Sequence, residues 1–250
     1  MTADEYLKTI LQKYAVNVTG AEAAGNLVYP TLKKWGGDCL LNVEFSGSLA
    51  KGTAISIGTD ADIFLSLSSS TNETLANIYD KLYDTVTNAG YIAKKQNVSI
   101  GIISNGYSID LVPGRRQSQY GNEHSLYVRK INSWTKTDVK NHISYVQSSG
   151  RIDEIKILKI WRQLHGLEFP SFFLEMTIIN ALAYSRVGNL ANNVLTCLDF
   201  IRDYIKTIRY VDPANTNNII SDVCTVVEKN IIANQAAKSR AQSRWESIVW

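Results

Sequence analysis

The sequence predicts an α+β domain joined to an all-helical second domain, and three observations carry that reading. Two β-rich runs, Val98–Ser104 and Tyr107–Val112, are separated by Asn105-Gly106, the dipeptide best suited to a type I′ hairpin turn. Apolar residues recur at helical spacing near the N-terminus and again from about residue 140 onward. The 250 residues are 45% hydrophobic and 20% charged, which excludes general disorder and suffices for one or two buried cores.

Taken in order, residues 3–19 and 21–36 read as two helices, with Tyr6, Leu7, Ile10, Leu11 and Tyr14 on one face of the first. Gly36-Gly37 ends the second, and Leu40–Phe45 reads as a strand. Residues 60–67 alternate like a half-buried strand. Glu73–Asn88 is an amphipathic helix with Gly90 just past its end. The hairpin follows, and Pro113-Gly114 with the polar stretch after it reads as the point where sheet gives way to helix. Glu154–His165, Ser171–Arg186, Val194–Arg209 and Ser221–Ile248 complete the pattern as helices. The expected domains are 1–135 and 136–250.

Composition narrows the function classes. A formal net charge of +3, with basic residues only in short pairs such as Lys94-Lys95, Arg115-Arg116 and Arg129-Lys130, speaks against strong nucleic-acid binding. Cys39, Cys197 and Cys224 form no CxxC pair, and their odd number suits reduced thiols. The three histidines sit in no zinc spacing. The acidic MTADEYLKTI start lacks an apolar signal core, and Phe169–Tyr184, the most apolar stretch, is interrupted by Glu175. The expectation is a cytoplasmic protein without a membrane span.

The chemistry concentrates in residues 45–65. Asp60 and Asp62 lie two apart on an expected strand, so both project from one face while Ala61 and Ile63 enter the core. Paired carboxylates repel unless a cation neutralises them, and hard oxygen donors of this kind suit Mg²⁺ or Mn²⁺. Read alone, an Asp-x-Asp describes two solvated acids on an edge strand. Gly47-Ser48 adds information, because it follows a strand and should open a short helix or turn whose N–H groups and Ser48 hydroxyl can hold a phosphate. It matches neither a Walker A loop nor a nucleophile elbow. A third acid, Asp110, interrupts the apolar run Tyr-Ser-Ile-Asp-Leu-Val-Pro. A two-residue Asn-Gly turn places Gly101 directly opposite it, leaving space expected to hold a metal or an acceptor hydroxyl.

GSLAKGT…TDADIFL followed by IDLVP resembles the nucleotidyltransferase superfamily that includes DNA polymerase β. It is most similar to the template-independent branch of CCA-adding enzymes, oligoadenylate synthetases and cyclic GMP-AMP synthase-like (CD-NTase) enzymes. That resemblance implies a polymerase β-like core, a mixed sheet with helices, beside the helical domain. It implies Gly47 and Ser48 on the donor triphosphate, and Asp60, Asp62 and Asp110 holding two Mg²⁺ or Mn²⁺ ions, with Asp110 the base nearest the acceptor hydroxyl. Lys51 occupies the place of a phosphate-supporting basic residue. Lys159, in Ile-Leu-Lys-Ile-Trp, resembles a lysine that reaches the donor phosphates. Ser171 and Phe172, in Pro-Ser-Phe-Phe-Leu-Glu, resemble a serine on the triphosphate and an aromatic stacked on the base. Thr137 and His142 match a threonine/histidine pair only loosely, with Asp138 where proline is usual, and stay outside the core site.

Val211-Asp212-Pro213-Ala214 with Asn217-Asn218-Ile219, and the ending that carries Trp245 and Trp250, resemble bacterial CD-NTases rather than CCA-adding enzymes. The resemblance then implies NTP substrates, a cyclic or linear oligonucleotide second messenger, a role in anti-phage defence signalling, and a possible regulatory protein partner. The alternatives are an RNA-terminal nucleotidyltransferase of CCA- or poly(A)-type and a non-catalytic nucleotide-binding subunit of the same fold. Retention of all three acids argues against the last.

Overall fold

Two helices open the chain, α1 (Ala3–Lys13) and α2 (Val18–Gly36). The break falls earlier than expected because Asn17 caps α2, its side chain accepting a hydrogen bond from the Gly20 N–H. The computed structural model describes residues 1–58 and 60–250. They fall into a sheet unit, residues 17–51 and 59–143, and a helical unit, residues 1–16, 52–58 and 144–250.

In the sheet unit follow β1 (Leu40–Phe45), α3 (Gly47–Lys51), β2 (Ala61–Leu67), α4 (Leu75–Asn88), β3 (Ala93–Lys95), β4 (Ile100–Ser104), β5 (Tyr107–Arg116), β6 (His124–Val128) and β7 (Ser133–Thr137). The strands run β1-β2-β5-β4-β3, with β6 joining the far end of β5 and β7 pairing β6. Among the described residues only β2 and β5 pair in parallel, so the sheet is mixed. Asn105 and Gly106 both take positive φ, 46° and 79°, as a type I′ turn needs. Ser104 consequently faces Tyr107, and Gly101 faces Asp110.

Alternation along β2 and β5 sorts the two faces of the sheet. Ala61, Ile63, Leu65, Leu67, Ile109 and Leu111 are buried in one core with Val28 and Leu32 of α2 and Ile78, Leu82 and Val86 of α4. Asp62, Phe64 and Asp110 therefore project from the other face. Pro113-Gly114 is no boundary: β5 runs through it, with Pro113 opposite Leu65 and Gly114 opposite both Ser66 and Leu126. The ladder to β2 and the added hairpin β6–β7 carry the sheet to Thr137, past the expected limit at 135.

The helical unit contains α1, the end of α5 (Val139–Gln147), α6 (Ile152–Leu164), α7 (Ser171–Ala181), α8 (Leu190–Tyr204), a small hairpin of β8 (Val211–Asp212) and β9 (Asn215–Ile219), and α9 (Val226–Arg240). Its core gathers Leu7 and Ile10 with Leu158, Trp161, Phe173, Leu198 and Ile232. The expectation grouped α1 with the sheet. The structure puts it here, because its apolar face is buried among α6 and α8 side chains. The expected helix 221–248 is shorter, starting at a Thr225/Glu228 capping box and ending at Arg240. No helix among the described residues is long and apolar enough to cross a membrane.

Candidate active site

Asp62 and Asp110 are direct neighbours in the parallel β2–β5 register, on the face of the sheet opposite α2 and α4. Asp60 lies just before β2 and is exposed. Gly47 opens α3 with φ +53°, a conformation L side chains avoid. A Cβ there would stand 1.8 Å from Asp62 Oδ2, so only glycine lets the carboxylate lie against the start of α3. The backbone N–H of Ser48 donates to Asp62 and stabilises its charge, as does Lys51 nearby. Burial, followed by repulsion from Asp110 and Asp60, outweighs both and pushes the Asp62 carboxyl up to about 6.

Asp110 is also raised, first by burial and then by Asp60, while hydrogen bonds from Ser99 and Gln96 pull it back. Gln96 Nε2 donates to Oδ1 at 2.7 Å and Ser99 Oγ donates to Oδ2 at 3.3 Å. Here an expectation is corrected. The space opposite Asp110 at Gly101 is filled by the Gln96 amide, 2.6 Å from where a Gly101 Cβ would stand. Sequence reasoning missed Gln96 and Ser99 because they belong to the turn between β3 and β4, and β3 is too short to announce itself.

A pocket of about 180 Å³ brings Gly47, Lys51, Asp62, Thr137 and His142 together. Lys51 is buried despite its charge. Thr137 and His142, left aside on sequence grounds, thus line the same recess as the glycine–serine helix and one acid. A larger recess of about 480 Å³, at Lys34 of α2 and Thr85 of α4, contains none of the candidate residues.

The helical unit places its candidates differently. Lys159 is almost fully buried. Its Nζ lies 2.6 Å from Glu175 Oε1 and donates to Thr53 Oγ1 at 2.8 Å. The lysine expected on the donor phosphates forms an interior ion pair here, because a buried ammonium requires a buried counter-charge. Ser171 is exposed at the start of α7, its Oγ accepting from Arg162 Nη1 at 3.0 Å. Phe172 is half-buried, edge-on to Tyr145 with ring centroids 6.2 Å apart. Arg162 and Glu175 had no sequence signal as partners of these residues.

Among the described residues no three His, Cys, Asp or Glu side chains form a ready-made metal cage. The donor chemistry nevertheless fits a divalent cation: Asp62 and Asp110 are hard oxygen donors, held side by side, and Asp60 and burial make the protonated form of each more favourable. A cation would relieve that repulsion.

The mixed sheet with its helical unit is the fold of solved bacterial CD-NTase structures. No protein-family model matches the chain. It is 22% identical over 228 residues to a cyclic AMP-AMP-AMP synthase of Escherichia coli strain MS 115-1, covering 82% of this chain and 71% of that protein. Among solved structures, the E. coli MS115-1 CdnC:HORMA-deltaN complex matches with a TM-score of 0.75 and 17% identity over 94% of this chain and 89% of that one. The Elizabethkingia meningoseptica CdnE cyclic dinucleotide synthase with GTP and Apcpp matches with a TM-score of 0.71 and 15% identity, covering 88% and 92%.

Proposed function

We propose that the chain is a metal-dependent nucleotidyltransferase that joins NTPs into a cyclic or linear oligonucleotide second messenger. The observation that carries this reading is the side-by-side pairing of Asp62 with Asp110 next to the Gly47 turn, two raised carboxyls that positive charge would relieve. The relatives add support, since one is a cyclic AMP-AMP-AMP synthase and another is a CdnC structure with ATP.

In this reading Asp60, Asp62 and Asp110 hold two Mg²⁺ or Mn²⁺ ions. When bound, the ions supply neutralising charge to the triphosphate and to the attacking and leaving oxygens. A ribose hydroxyl attacks the α-phosphate of a second nucleotide and pyrophosphate leaves, while the hydroxyl proton passes to a carboxylate oxygen of Asp110. A carboxyl raised by burial takes that proton more readily than an exposed one. Gly47 brings the backbone close to the donor phosphates, Ser48 offers its hydroxyl, and Lys51, Thr137 and His142 line the recess beside them. Ser171 contributes a hydroxyl steadied by Arg162, and Phe172 a ring face for the base.

The reading includes cytoplasmic action in anti-phage defence under a regulatory protein partner, for which the complex of CdnC with HORMA-deltaN is the precedent. The test incubates the purified chain with all four NTPs and Mg²⁺ or Mn²⁺ and analyses the small-molecule fraction by mass spectrometry. A soluble oligonucleotide is expected, lost by on the order of 10³-fold in the Asp60→Asn/Asp62→Asn double variant. Full activity in that variant would sink the assignment of the acids. Product found only on the ends of added RNA moves the protein to the RNA-terminal class.

A further inference from the structure

The turn between β3 and β4 is built more firmly than closing a three-residue edge strand requires. Gln96 N–H donates to the Ser99 carbonyl at 2.9 Å and Lys95 faces Ile100, so the turn spans residues 96–99. The hydroxyl of Tyr79, from α4, lies 2.7 Å from the Gln96 carbonyl and 3.0 Å from that of Ser99. Tyr79 is fully buried and its ring is fixed in the core. Arg129 Nε donates to the same Gln96 carbonyl at 2.9 Å, and the Arg129 and Lys130 N–H groups donate to the carbonyl and the side chain of Asn97. A helix and the β6–β7 connection thus hold one short turn from two sides.

The turn presents two side chains inward. Gln96 Nε2 takes Asp110 Oδ1, and Ser99 Oγ lies 3.3 Å from Oδ2 and 3.2 Å from Gln96 Oε1. Oδ1 has the Gln96 amide as its own neutral donor, and the single Ser99 hydroxyl proton is shared between Oδ2 and Gln96 Oε1. Gly101 makes this possible, since a side chain there would occupy the space of the Gln96 amide. An ion pair would neutralise Asp110, whereas neutral donors fix its direction and leave its charge and remaining lone pairs available.

We propose that Gln96 and Ser99 are positioning residues that clamp the Asp110 carboxylate in its working orientation, with Tyr79 and Arg129 as the scaffold of the clamp. The role in synthesis rests on the nucleotidyltransferase reading; the role in ordering Asp110 does not. Partners that orient a ligating carboxylate typically contribute about 10–100-fold in metal affinity or activity.

The test uses the full chain and the variants Gln96→Met, Ser99→Ala and both together. Steady-state synthesis from NTPs is measured with Mn²⁺, and Mn²⁺ affinity is measured separately by electron paramagnetic resonance without nucleotide. Gln96→Met should lower kcat about 10–100-fold and weaken Mn²⁺ binding about 10-fold. The NTP KM should stay within roughly twofold, a split that general loosening of the fold would not produce. Ser99→Ala removes one hydroxyl and keeps the turn, so it gives the same signature at smaller size should Gln96→Met fail to fold. Unchanged kcat and Mn²⁺ affinity in these variants overturn the clamp while leaving a wild-type synthetase in place. A wild type that makes no product, with Mn²⁺ binding still weakened by Gln96→Met, overturns the synthetase reading and leaves the clamp.

Discussion

In the helical unit the buried charges meet opposite charges or carbonyls: Lys159 rests against Glu175, and Arg151 against Glu154 and the carbonyls of Leu182 and Arg186. In the sheet unit two half-buried carboxylates stand side by side, and neighbouring charge and burial push both toward the protonated form. The first arrangement is complete in itself. The second gains stability only when positive charge arrives, and that difference separates architecture from a site that awaits a ligand.

The contrast is open to direct attack. The largest effect on stability is expected from Lys159→Met, which leaves the Glu175 carboxylate buried without its partner and should cost about 3–5 kcal/mol in urea unfolding. Adding Glu175→Leu should return most of it, since removing both charges removes the imbalance. A loss that the second change fails to repair would mean that Lys159 packs rather than pairs.

Asp62→Asn should act in the opposite direction. The folded carboxyl titrates at about 6 against 3.8 for the free group, so between those values the folded state binds the extra proton. The cost of ionising Asp62 is thus absent below the free value and fully present above about pH 6, on the order of 2–3 kcal/mol in metal-free protein. Urea midpoints in EDTA should show the variant more stable than wild type at neutral pH and the two converging toward pH 4. A variant no more stable at neutral pH would show that Ser48 and Lys51 already compensate the charge. Smallest is Ser171→Ala, expected to raise the NTP KM by about fivefold through one lost hydrogen bond, with kcat and urea midpoint unchanged.

The positions of Asp62 and Asp110 in the sheet were legible in the sequence because they depend on local rules, whereas Asp60, expected on the strand, precedes it. Alternation put Asp62 on the face opposite Ile63, and the Asn105-Gly106 turn fixed Gly101 against Asp110 by counting. The glycine–serine helix was legible for the same reason. What occupies the space at Gly101 was not, since Gln96 arrives from a neighbouring hairpin whose outer strand has three residues. The burial of Lys159 was equally invisible: its partners Thr53 and Glu175 lie far away in the chain or on another helix, and helical periodicity does not say which polar residue faces inward. Thr137 and His142 were set aside because they match the threonine/histidine pair only loosely, with Asp138 where proline is usual. Once β5 continues to Arg116, β6 and β7 follow, and Thr137 reaches the recess.

The chain leaves the sheet unit after Lys51, contributes Thr53 and Ile55 to the interior of the helical unit, and returns before β2. Neither unit is therefore a contiguous stretch of polypeptide. In the language of gene architecture, no single cut yields one unit whole, and the segment joining the glycine–serine helix to the aspartate strand is owned by the other half. Expression of residues 144–250 alone leaves out α1 and residues 52–58, and expression of residues 17–143 carries a loop whose buried residues have lost their core. Evolution can trade neither unit as a module without rewriting the stretch between Lys51 and Asp60.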